Sequence, residues 1–357
     1  MEKTSIEKPI IEERQEIKEK EPRISYHILY GFHAALKDFD KFEAAYKEAD
    51  VYVPEEIGSS ARVLNFLNKL SQGELTPQEV ADRLWTRPGS FAFEQFRVIH
   101  NSKKPILFID VPAGHELLKM DEQSDKLFNE STALFKKGDF KQSIKTMRNY
   151  VINEVDLESR REEIIKKNLK EKIKEFVKYY PQLKEKDEIK VLLTLGAAHT
   201  RIYHDLKREE REEQKEGQAD FSISKQFARQ PLIFYSIEEA LRRCMFLKDR
   251  QPSDIILARG IIESFLFNYY VKYTRITDDG NKAVMVGRKI SSQLNLKEIK
   301  KISKELAEYS NPTALTAVDV LKKRGIKIPE SEEEMDEMLN SKFPPRADPS
   351  KVEKTKN

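Results

Sequence analysis

Two histidines stand in closely similar surroundings, and both lie where α/β proteins do chemistry. Ile28-Leu29-Tyr30-Gly31-Phe32-His33 and Leu193-Thr194-Leu195-Gly196-Ala197-Ala198-His199 each read as a buried strand, a glycine and a histidine at the strand's carboxyl end. Open α/β sheets bind ligands in the crevice at that end of their strands, and a glycine there lets the backbone turn without a Cβ. Each copy alone also fits an ordinary strand-to-helix turn whose histidine hydrogen-bonds locally; the pair together point to a shared site over one sheet edge. Two more features add reactive groups. Val51-Tyr52-Val53-Pro54 runs into Glu55 and Glu56, and the apolar Ile106-Leu107-Phe108-Ile109 runs into Asp110. Farther on, the apolar stripe Ile165, Leu169, Ile173, Phe176 and Tyr180 has helical spacing, and Arg161 sits one turn before Ile165 on that stripe, with Asn168 sharing its face. A guanidinium on a buried face needs an acidic partner or an anionic ligand; the alternative is a frayed helix start with Arg161 bent out to water.

The elements that must hold these groups alternate in type. Ile24 to Gly31 predicts a strand, Asp38 can cap a helix with Phe39, Phe42, Ala45 or Tyr46, and Ala49 at helical spacing, and Asp50 to Glu56 predicts a second strand, which makes a βαβ unit. Val63, Phe66, Leu67 and Leu70 mark a helix, and Thr76-Pro77-Gln78-Glu79 is a capping box with proline at the first helical position. Trp85 and the Phe91, Phe93, Phe96 group are expected to pack these helices together. Ile106 to Ile109 suits a short strand covered on both faces. Residues 122 to 180 predict a helical hairpin broken near Gly138, Phe221 to Phe227 alternates like a strand, and Ser236-Ile237-Glu238-Glu239 reads as a capping box that opens a run of helices. His27, His100, His115 and His204 fit structural or solvated roles better than ligation, with His115 notable for following Asp110 closely.

Composition narrows the function classes. Across 357 residues the chain is 39% hydrophobic and 35% charged, enough for one large core under a heavily solvated surface. Lys+Arg 64 against Asp+Glu 61 leaves a net charge of +3 with the signs interleaved, so no footprint for nucleic acid stands out. The single cysteine, Cys244, excludes an intramolecular disulfide and a cysteine zinc cluster. The most apolar long stretch, Ile255 to Val271, is interrupted by Arg259 and Glu263, and the amino terminus alternates Glu and Lys where a secretory peptide needs an apolar core. The expectation is a cytoplasmic protein without a membrane or nucleic-acid partner. Domain limits follow: residues 1–23 a disordered tail, 24–230 an α/β core, 231–328 a helical region able to form a dimer contact, and 329–357 a charged, disordered tail.

The order of parts resembles a known superfamily. Gly31-Phe32-His33, the strand ending at Glu55-Glu56, Phe108-Ile109-Asp110, Arg161-Glu162-Glu163-Ile164-Ile165-Lys166-Lys167-Asn168 and Gly196-Ala197-Ala198-His199 are similar, in that sequence, to motifs of the superfamily joining erythromycin esterases, Tiki and TraB/PrgY proteins and ChaN-like haem-binding proteins. The resemblance spans roughly residues 24 to 230. Gly31-Phe32-His33 is one residue shorter than the superfamily's Gly-x-x-His, whereas Gly196 to His199 matches it.

The resemblance implies a central, mostly parallel sheet flanked by helices and a site built from His33, Glu55, Glu56, Asp110, Arg161 and His199, with Glu55 and Glu56 both candidates for the strand-end glutamate. It implies hydrolysis of an ester or a peptide bond, because histidine and glutamate can trade a proton with an attacking water and an arginine can hold a carboxylate or an oxyanion. His33, Glu55 and His199 are the candidate ligands for a divalent metal ion, although no short-spaced histidine pair fixes a geometry. The substrate is a small molecule or a peptide. The same superfamily also holds ligand binders and regulators, so a non-catalytic protein of this fold is the alternative. Arg161 is expected to be buried and paired with Asp110, Glu55 or Glu56.

Overall fold

Among the described residues, four parallel strands form one sheet. This computed structural model describes residues 22–31, 39–58, 60–217, 220–228, 236–246 and 251–341. The strands are β1 (Arg23–Gly31), β2 (Val51–Pro54), β3 (Glu188–Gly196) and β4 (Phe221–Phe227), in the order β2-β3-β1-β4 with every neighbour parallel. β3 is buried from Val191 to Leu195, apolar but for Thr194, because both its faces are covered, as parallel sheets require. On one face Tyr26, Ile28, Tyr30, Val191, Leu193 and Leu195 make one core; on the other, Leu29, Tyr52 and Leu192 belong to a second.

Helices α1 (Phe39–Glu48), α2 (Ala61–Gln72), α3 (Pro77–Leu84) and α4 (Phe91–Ile99) cover the second face. The capping box at Thr76 forms with Glu79 as the sequence predicts. Helices α5 (Leu117–Lys136) and α6 (Phe140–Lys178) make the expected hairpin, turning at Gly138; the short α7 (Pro181–Lys184) and α8 (Thr200–Lys215) bracket β3. The helical region comprises α9 (Ser236–Phe246), α10 (Asp254–Phe267, prolonged by a wide helical turn to Tyr273), α11 (Gly280–Ser291), α12 (Leu296–Leu306), α13 (Ala314–Lys323) and α14 (Glu332–Asn340). No helix among the described residues is long and apolar enough to cross a membrane.

α6 ties these parts together. Its 39 residues span about 58 Å at 1.5 Å per residue. Phe140, Ile144, Met147 and Val151 in its first half join the core of α9 to α14, whereas Ile165, Leu169, Ile173 and Val177 in its second half pack on the sheet. The helical region therefore draws on α5 and α6 as well as on residues after 231.

Several sequence expectations change here. Ile106 to Ile109 is not a strand but makes one parallel bridge, Ile106 to Tyr52. β2 is only four residues long, and the Asn68 amide takes both the Ile106 N–H (3.0 Å) and its carbonyl (3.2 Å), so side chains satisfy a backbone that would otherwise need a ladder. Trp85 does not pack the helices: it ends α3 in a left-handed conformation with its side chain 93% exposed, and Phe91 and Phe96 fill that core with Phe42. Ser236 gives its N–H and hydroxyl to the buried Glu263 carboxylate instead of boxing with Glu239, which Arg288 and Arg243 hold. Asp38 lies outside the described residues, as do the tail residues 1–21 and 342–357.

The segment from Pro329 to Ser341 is folded, contrary to its expected disorder. Ser331 caps α14, and the acidic first turn Glu332–Glu334 suits a helix amino terminus, where the backbone dipole favours negative charge. Met335 and Met338, one turn apart, enter the helical core. Met335→Ala should lower unfolding free energy by about 2–5 kcal/mol, the range for emptying a core methionine site, measured by urea denaturation. An effect under about 0.5 kcal/mol, the level of an ordinary surface change, would show that α14 is not part of the cooperative fold.

Candidate functional site

Four separate segments converge where β2 and β3 end. Glu55 follows β2, Asp110 follows the Ile106 bridge segment, His199 follows β3 through one tight turn, and Arg161 lies in the middle of α6. Backbone pairing sets the floor of this arrangement: Gly31 of β1 lies directly opposite Gly196 of β3. Gly196 gives its N–H to Glu55 Oε2, and a Cβ built there would stand 3.1 Å from that oxygen. Glycine is what allows the carboxylate to come this close. Asn168, two turns along α6 from Arg161, donates to the Ile109 carbonyl at 2.7 Å and so fixes the backbone that carries Asp110.

Arg161 is the hub. Its Nε and Nη2 bind the Asp110 carboxylate in a two-pronged pair, at 2.9 Å to Oδ1 and 2.5 Å to Oδ2, and Nη2 also reaches Glu55 Oε1 at 2.8 Å. Nη1 faces Glu158 Oε1 at 3.5 Å. The guanidinium is buried and paired as the helix stripe requires; it does not fray to solvent. Burial opposes its charge, but the hydrogen bond to Asp110 and the charges of Glu158 and Glu55 outweigh this and raise its pKa further.

His199 is sealed behind Arg161 at 2% exposure. Its Nε2 lies 3.0 Å from Glu55 Oε1, 3.5 Å from Glu158 Oε2 and 3.2 Å from Arg161 Nη1; its Nδ1 lies 3.5 Å from Glu162 Oε1. The Tyr30 hydroxyl donates to the His199 carbonyl at 3.1 Å and holds the turn. Desolvation favours neutral imidazole here, yet the charges of Glu55 and Glu158, with the Glu162 and Glu55 carboxylates facing the two ring nitrogens, push the pKa up to about 10. An imidazolium beside a guanidinium is tolerable only because Asp110, Glu55, Glu158 and Glu162 surround the two cations. Both Glu162 oxygens are buried without a hydrogen-bond partner, leaving His199 as the cation they face.

Of the residues read from the sequence, Glu55, Asp110, Arg161 and His199 meet. Glu55 rather than Glu56 reaches Arg161, His199 and Gly196. His33 lies outside the described residues. Glu158 and Glu162 escaped the sequence reading, although their spacing of three before and one after Arg161 was available; on a helix dense with glutamate, nothing marks two of them as inward. The other histidines stay apart: His27 Nδ1 pairs with Ser224 Oγ at 2.9 Å, His100 ends α4, His115 Nδ1 accepts the Leu117 N–H, and His204 is exposed against Tyr203 and Phe246.

A metal ion shared by Glu55 and His199 would have to lie between two atoms that the guanidinium already bridges, at 2.8 and 3.2 Å. Among the described residues no group of three or more His, Cys, Asp or Glu side chains is arranged to hold a metal. The described residues therefore do not fit a divalent ion. At the rim, Glu154, one turn before Glu158 on α6, is pushed up to about 7, first by burial and then by the nearby Glu158, Asp121 and Asp125.

The protonation of His199 has a pH signature. A folded-state pKa of about 10 against an ordinary value of 6.5 means that its proton stabilises the fold, wholly below about pH 6.5 and progressively less as pH rises through about 10. In urea titrations across that window the wild type should lose stability more steeply than His199→Gln. Parallel curves would mean that His199 carries no such proton.

Comparison with protein-family models, with curated proteins and with solved structures returns no match to this chain, so the reading of the site rests on its own geometry.

Proposed function

We propose that this protein is a hydrolase that directs water at an ester or a peptide bond, with Glu55 and His199 exchanging the proton. The observation that carries the reading is the 3.0 Å contact between Glu55 Oε1 and His199 Nε2 beside the carboxyl ends of adjacent parallel strands. Hydrolysis needs a base for the attacking water and an acid for the leaving group, and a carboxylate sharing one proton with an imidazole supplies both. Glu55, at 16% side-chain exposure, is the open member of the pair, and His199 behind it is the proton store. Arg161 acts by holding Glu55 and Asp110 at fixed positions. The order of motifs that resembles the erythromycin esterase, Tiki and TraB superfamily supports the same reading, with a small molecule or a peptide as substrate and the cytoplasm as its setting.

A second reading has its own support. A histidine that holds its proton to about pH 10 gives it up reluctantly at neutral pH, which favours a non-catalytic ligand-binding or regulatory protein of the same fold.

Two substitutions separate the readings on a panel of ester and peptide substrates. His199→Ala should lower the rate about 100-fold to 10,000-fold, the contribution typical of a positioned acid-base group, while His204→Ala, on the exposed face of α8, should stay near wild type. Equal effects of the two, or full activity without His199, would discard the hydrolase mechanism in favour of the binding protein.

A further inference from the structure

The two ring nitrogens of His199 meet different company. Nε2 faces acceptors and a donor together: Glu55 Oε1 at 3.0 Å and Glu158 Oε2 at 3.5 Å can take a proton from it, and Arg161 Nη1 at 3.2 Å can donate a hydrogen bond to its lone pair. Nδ1 faces Glu162 Oε1 at 3.5 Å, and among the described residues it has no other ion-pair partner and no hydrogen bond. Glu158 and Glu162 lie one turn apart on the same face of α6, so the helix presents one carboxylate to each nitrogen.

Packing gives no reason for Glu162. Its side chain is 1% exposed, neither oxygen has a hydrogen-bond partner, and His199 is its one ion-pair partner among the described residues. A carboxylate buried in this way weakens a fold, and an apolar side chain of similar size would fill the space without that cost. What it does supply is direction. A carboxylate offers lone pairs and no proton, so it repels a bare ring nitrogen and attracts a protonated one, a preference that acts at 3.5 Å without a short hydrogen bond. The ring therefore keeps its Nδ1 proton when it loses charge. Nε2, with the Arg161 donor ready to meet its lone pair, is the nitrogen laid bare.

We propose that Glu162 is the positioning residue of the site, holding the His199 ring in its Nδ1–H form with Nε2 turned to Glu55. The role rests on the proton exchange between Glu55 and His199 proposed above. In that exchange the Nε2–H bond breaks as the same proton bonds to Glu55 Oε1, turning a carboxylate and an imidazolium into a carboxylic acid and a neutral imidazole, and the reverse step restores both; the Nδ1–H bond stays intact throughout. A neutral ring bare at Nδ1 and protonated at Nε2 would have no lone pair to offer Glu55.

Nitrogen-15 spectra of the full-length protein labelled at histidine read the tautomer directly, with the His199 signals assigned by their absence from His199→Gln. Above about pH 10, where the ring loses its charge, the wild type should keep its proton on Nδ1. Glu162→Leu should move that proton to Nε2, drawn by Glu55. On the ester and peptide panel the same variant should lower kcat about 100-fold at unchanged KM, the lower end of what a positioned acid-base group contributes. A wild-type ring protonated on Nε2, or the same tautomer in both proteins, would overturn the assignment, and the first of these is read even where Glu162→Leu does not fold. A wild type that hydrolyses nothing, yet holds the Nδ1–H form and loses it in the variant, would remove the hydrolase reading and leave Glu162 as the group that fixes the ring.

Discussion

The arrangement depends on the burial of one guanidinium. Moving an unpaired arginine from water into a protein interior is prohibitive, so Arg161 can face inward only if carboxylates arrive with it. Asp110 supplies a two-pronged contact and Glu55 a third. These residues come from the segment after the Ile106 bridge and from the end of β2, so satisfying Arg161 fixes two chain segments against α6 at once. His199, brought in at the end of β3, shares Glu55 and is drawn into its charged state by Glu55 together with Glu158 and Glu162.

A single long helix makes that constraint global. The first half of α6 is locked into the core of α9 to α14 and its second half into the sheet, with Arg161, Glu158 and Glu162 where the two packings meet. Val111, next to Asp110, and Leu157, next to Glu158, join Leu117 of α5 in a small buried apolar cluster, so apolar packing adjoins the charged groups along the chain. The polar cluster is thus positioned by rigid elements on each flank rather than by loops, a placement suited to groups that must hold angle and distance.

The sequence carried more of the site than of its surroundings. Gly196 to His199, Asp110 and Arg161 were readable, and Glu55 only as one of the pair with Glu56, because each stands at the end of an apolar run or on an apolar stripe. Glu158 and Glu162 were not, since a helix with many glutamates offers no pattern separating inward from outward ones. Ile106 to Ile109 misled as a strand because Asn68, distant in sequence, replaces the ladder. The acidic run before Met335 disguised a helix whose two methionines anchor it, and Trp85 misled because a large aromatic ring is ordinarily inside.

Coupling between Arg161 and Asp110 is the most direct measure of this account. Unfolding free energies of Arg161→Met, Asp110→Leu and the double variant give it as a double-mutant cycle. Arg161→Met leaves the buried Asp110 carboxylate without its cation, and Asp110→Leu removes the two-pronged contact and leaves Arg161 with Glu55 and Glu158; each should lose about 3–5 kcal/mol, whereas the double variant should lose little more than Arg161→Met alone, a coupling of about 3 kcal/mol. Additive losses, with coupling under about 0.5 kcal/mol, would mean that the two residues do not hold the site together.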